Sequence, residues 1–149
     1  MERALLVAVL NELLSLEQRS LAPRLLESTV SVSSLAAPAM SLVQRMSNAV
    51  REHSGTLARL ILELGGTPGR RGFGIATADL HFQDLQHVLP RLVANEEELV
   101  RDFTLAAQRI SDDPRALAAV TRILQRHQQN LQALGELCPK APSPRPIPQ

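Results

Sequence analysis

Apolar residues recur every three or four positions through four long stretches of this chain, and that period fits one face of an α-helix and nothing else. The first stretch, about Arg3 to Ser28, carries Leu6, Leu10, Leu13, Glu17, Leu21 and Leu25 on its stripe. Pro23 lies inside it and predicts a kink in the last turns, because proline removes a helical donor and crowds the preceding turn. The second stretch begins near Pro38 and carries Val43, Met46, Val50, His53, Leu57, Leu60 and Leu64. Gly65, Gly66 and Pro68 stop it, since glycine accepts the left-handed cap and proline blocks resumption. The third, about Leu80 to Ile110, aligns Leu85, Leu89, Leu92, Glu96, Leu99, Phe103, Ala106 and Ile110, with a bend expected at Pro90. Ser111-Asp112-Asp113-Pro114 reads as a helix start, a capping side chain followed by proline in the first turn. The fourth stretch runs to about Leu137 along Leu117, Val120, Leu124, His127, Leu131 and Leu134.

The connections set the topology. Thr29 to Ala37 joins the first two stretches; its alternating valines are too few to make a stable sheet. Gly66 to about Asp79, with Gly69, Gly72 and Gly74, is the longest link, long enough to cross a bundle from end to end. The expected fold is therefore all-α: a four-helix bundle over residues 1–137 with a long crossover between helices two and three. Of the 10 prolines, five follow residue 138, so residues 138–149 read as a Pro-rich flexible tail. An α-solenoid would require an internal repeat, and none appears.

Composition narrows the function. Apolar residues make up 44% and charged residues 21%, as expected for a globular chain. The net charge is +1, from 16 basic and 15 acidic residues, which argues against a partner bound through phosphate neutralisation along a nucleic acid. With no Trp or Tyr and three Phe, base-stacking platforms are absent too. No apolar run reaches membrane-spanning length, and Ala4 to Leu10 reads as the start of the first helix rather than a leader. Cys138, the single cysteine, excludes an intrachain disulfide and points to the cytoplasm.

Each stripe is interrupted once, near its middle, by a titratable residue: Glu17, His53, Glu96 and His127. Burying an unpaired charge is costly, so such groups are paired or metal-bound. Side chains from facing helices of a bundle can converge on one point.

Two segments resemble the ferritin-like superfamily, bacterioferritin and rubrerythrin relatives in particular. Leu10-Asn11-Glu12-Leu13-Leu14-Ser15-Leu16-Glu17 is similar to the first-helix segment that ends in a metal-ligating Glu. His53 followed by Arg59-Leu60-Ile61-Leu62-Glu63-Leu64-Gly65-Gly66-Thr67-Pro68 is similar to the run from a metal-binding His to the end of helix two. The resemblance implies a di-iron site with one Glu from each of helices one and three and a Glu-x-x-His from each of helices two and four. Glu17 and Glu96 match the two single carboxylates, with Glu97 the alternative to Glu96 if the register slips. His53 and His127 match the two histidines.

The departures are specific. Where the family has bridging glutamates, this chain has Val50 and Leu124, which offer no charge to offset two adjacent cations. The tyrosine expected two turns after Glu17 is Arg24, and the haem-ligating methionine expected after Val50 is Arg51, so no haem is expected. Two readings of the remaining residues stand side by side. In one, Glu17, His53, Glu96 and His127 form a metal-free polar network, with Arg24 joining it. In the other they bind a single divalent ion, Fe, Zn or Mn, through mixed nitrogen and oxygen ligands. The function expected is binding or assembly with no catalytic residue, or, on the second reading, metal-dependent redox or iron handling. A homo-oligomer, a homodimer along helices one and two, is the expected assembly. Weaker signals carry no function: Gly69-Arg70-Arg71-Gly72-Phe73-Gly74 reads as a loop, His81 and His87 do not share a helical face, and Pro139-Lys140-Ala141-Pro142 belongs to the tail.

Overall fold

A computed structural model describes residues 1–27, 37–70 and 85–137, and within them every regular element is an α-helix. The helices are α1 (Arg3–Gln18), α2 (Leu21–Glu27), α3 (Ala37–Glu63), α4 (Leu85–Arg109) and α5 (Pro114–Leu137). The expected crossover beyond residue 70, residues 29–36 of the Thr29 to Ala37 connection, His81 and the tail from Cys138 onward lie outside the described residues, as does the side chain of His87.

The helix ends follow the local chemistry. α3 closes on Gly65 at φ 82°; Gly66 N donates to Ile61 O at 2.9 Å and Gly65 N to Leu62 O at 2.9 Å, a pattern that satisfies two terminal carbonyls. A side chain at Gly66 would have no room, because its Cβ would lie 2.6 Å from Val7 Cγ1. At the start of α5, Asp113 Oδ1 accepts from Ala116 N at 3.0 Å, and Pro114 occupies the first turn, where its missing donor is not needed.

Two expectations need correcting. The first stretch is not one kinked helix to Ser28. It breaks at Arg19–Ser20, and α2 restarts at Leu21. Pro23 would clash with the carbonyl of Arg19 in a continuous helix; the break moves Pro23 into a first turn. Asn95 Oδ1 accepts from Leu21 N at 3.1 Å and so satisfies one of the donors freed by the restart. On α5 the buried face is Ala116, Val120, Ile123, His127, Asn130 and Leu134, whereas Leu117, Leu124 and Leu131 are half-buried at its edge. Two apolar rows run side by side on this helix, and the row of smaller residues lies deeper.

α1 packs on α3, α4 on α5, and α3 on α5. Two apolar clusters form the core. Leu10, Leu13, Leu57, Phe103, Ile110 and Val120 belong to one, and Leu25, Val43, Met46, Leu92 and Leu134 to the other. Along the chain, α1 with α2, and likewise α5, passes from the first cluster to the second. α3 and α4 pass from the second to the first. In every case the interrupting titratable residue falls between the two clusters. Thus Glu17 lies between Leu14 and Ala22, and His127 between Ile123 and Leu134.

Candidate functional site

Four helices deliver one polar side chain each to the layer between the apolar clusters. Glu17 on α1 and His127 on α5 are 0% exposed, Glu96 on α4 is 2% and His53 on α3 is 8%. His127 is the hub. Its Nδ1 is 2.8 Å from Glu96 Oε2, and its Nε2 is hydrogen-bonded to Glu17 Oε1. His53 Nδ1 stands 3.4 Å from the same Glu17 oxygen, close enough for attraction but not aligned as a hydrogen bond. The two imidazoles meet edge to face with centroids 5.1 Å apart, and the Phe103 ring packs 5.3 Å from His127. The polar bonds of His127 are made by its two in-plane nitrogens.

Carboxylates accept and do not donate, so two of them on one imidazole favour a proton on each ring nitrogen. Burial by itself would lower the pKa of His127. The hydrogen bonds and negative charges of Glu17 and Glu96 outweigh burial and raise it to about 9. Burial would raise the Glu17 pKa, yet its contacts with His127 and His53 hold it below the usual carboxylate value. At neutral pH His127 is thus an imidazolium, hydrogen-bonded on one side to Glu17 and on the other to Glu96.

The dinuclear centre that the resemblance implies would need bridging oxygens at Val50 and Leu124. Val50 is buried and apolar, Leu124 is half-buried against the apolar core, and neither supplies a bridging oxygen. A single ion fits better. Glu17, His53 and His127 each offer a ligand atom, and these atoms all lie within 4.8 Å of one another. Glu17 Oε2 and His53 Nδ1 are buried without hydrogen-bond partners, which suits ligation. An ion there would require His127 to give up the proton on Nε2. Glu96 approaches the opposite ring nitrogen, so in that case it would orient the histidine and not itself ligate.

The structure therefore brings together all four residues singled out in the sequence, but in unequal roles. Glu17, His53 and His127 share one point, and Glu96 reaches it through His127. Arg24 is buried, but its Nε has no hydrogen-bond partner, and no ion pair joins it to Glu17 or Glu96 among the described residues. Glu97 is exposed and takes no part. Other features had no signal in the sequence. Asn11 Oδ1 accepts from Gly69 N at 2.8 Å and Asn11 Nδ2 donates to Thr67 O at 3.1 Å, so α1 pins the strand of chain leaving α3. No protein-family model, no curated protein and no solved structure matches the chain. No helix among the described residues is long and apolar enough to cross a membrane.

Proposed function

We propose that this chain is a ferritin-like four-helix bundle whose paired-metal site has been replaced by a buried imidazolium, and that it serves in binding or assembly rather than ferroxidase catalysis. The observation that carries the reading is the occupation of both His127 nitrogens by carboxylates, with apolar side chains at the two bridging positions. One positive charge then lies between Glu17 and Glu96 and offsets part of their negative charge, where cations would otherwise be needed. The order in which the helices visit the two apolar clusters supports an up-down-down-up bundle. Such a bundle requires a crossover between α3 and α4. A homodimer along α1 and α3 would cover Leu5 and Leu62, which are 53% and 61% exposed.

The second reading, a mononuclear metal protein, is favoured by the convergence of Glu17, His53 and His127 and by the unpartnered atoms among them. Metal analysis separates the two. Protein purified from medium replete in iron, zinc and manganese is expected to hold well under one equivalent of any of them, with a melting temperature unmoved by a chelator. About one retained equivalent, lost in the double variant His53→Leu with His127→Leu, would establish the second reading instead.

A further inference from the structure

A cleft of about 540 Å³ opens between α3 and α5. Arg59 enters it from α3, and Arg115, Arg122 and Arg126 from α5. The acidic residues there are Glu52 and Glu63, so the arginines of the cleft outnumber its carboxylates by two. This is out of proportion to a chain whose whole net charge is +1. Arg115 is held by Glu63 at 2.6 Å. Arg59, Arg122 and Arg126 have no ion pair among the described residues. Like charges gathered in a concave site repel one another, and a bound anion relieves that repulsion.

The shape of the charge narrows the anion. A carboxylate is satisfied by one guanidinium fork; three free forks converging from two helices call for an anion with three or more acceptor oxygens. The floor between them is apolar, formed by Leu60, Ala119 and Ile123. The volume exceeds that of a single phosphate and leaves room for an organic portion over that floor. No Phe, Tyr or Trp lines the cleft, and its one imidazole, His53, is buried, so the cleft offers little for a base to stack on.

We infer that the α3–α5 cleft binds a phosphate-bearing small molecule, with Arg59, Arg122 and Arg126 on the phosphate oxygens and the remainder over Leu60 and Ile123. The cleft touches the buried layer only through His53, so the inference holds whether or not an ion binds at Glu17. Titration calorimetry of the full chain with pyrophosphate as the probe tests it, with inorganic phosphate and succinate run at matched ionic strength. Pyrophosphate is expected to bind saturably, and the double variant Arg122→Gln with Arg126→Gln to weaken it about 100-fold, the loss of roughly one charge-assisted bond at each of the two sites. Arg45→Gln, an exposed arginine on α3 outside the cleft, is expected to change nothing. The absence of saturable binding, or binding undiminished in the double variant, would overturn the site. Succinate binding as tightly as pyrophosphate would overturn the assignment to phosphate.

Discussion

Replacing His127 by Leu is expected to cost about 3–5 kcal/mol of folding stability, the range for removing one partner from a buried ionic group. The variant leaves Glu17 and Glu96, 0% and 2% exposed, without the donor they share. Two carboxylates that meet only through an imidazole would then have to be desolvated, protonated or expelled. Urea unfolding of the two proteins reads the effect. The companion variant replaces Glu17, Glu96 and His127 together by Leu. Its expected stability is within about 1 kcal/mol of the wild type or above it, because an apolar layer needs no charge balance. A His127→Leu cost below about 1 kcal/mol would mean that the three groups are not ionised together in the folded protein. So large a penalty for one side chain, removed by deleting its two partners, is a signature that ordinary cavity formation does not produce.

Stability is also expected to decline on the alkaline side, by about 3 kcal/mol in all between pH 6.5 and 9. His127 has a folded pKa raised to about 9 from 6.5. The folded state therefore holds a proton that the unfolded state releases. The contribution is complete below pH 6.5 and disappears as the pH rises through 9. Glu17 is shifted the other way: its contribution is complete above the ordinary value of 4.5 and is lost as the pH falls through its lower folded value. Both shifts describe the same bonds, so they do not add. The amino group of Met1, raised above 8.0 by exposed Asp112, titrates in the same alkaline window. His127→Leu keeps that pair, and its flatter profile isolates the buried contribution. A single bound ion would give the opposite slope, since ligation displaces the His127 proton and strengthens as the pH rises. Denaturant midpoints measured from pH 6 to 9.5 distinguish the two signs.

Much of this was legible in the sequence because helix signals are local. Gly65-Gly66 and Asp113-Pro114 mark helix ends whose hydrogen bonds involve residues within five positions, and both form as expected. The four interrupting residues were legible for a related reason, since one titratable group on an apolar stripe conflicts with its own neighbours. The parts that were not legible depend on the other helices. Pro23 signals a disruption, yet the break lies at Arg19–Ser20, where Asn95 from α4 satisfies Leu21 N. On α5, Leu117, Leu124 and Leu131 have the stronger pattern, but Ala116, Ile123 and Asn130 are buried because packing against neighbours fixes the rotation. In the sequence Glu96 has the same standing as Glu17, one carboxylate on one stripe. Only the ring orientation of His127 shows that the two carboxylates take opposite nitrogens. The arginine cleft gave no signal either, because Arg59 joins the α5 arginines only when α3 lies beside α5.

Nitrogen-15 NMR of the histidine rings at pH 8 tests the imidazolium in the buried layer most directly. His127 is expected to show both ring nitrogens protonated and to retain that signature until the pH approaches 9, while an unfolded reference has already lost it. A neutral ring at pH 8, or one nitrogen shifted by a bound metal, would contradict the proposal that a protein cation occupies the place of the paired ions.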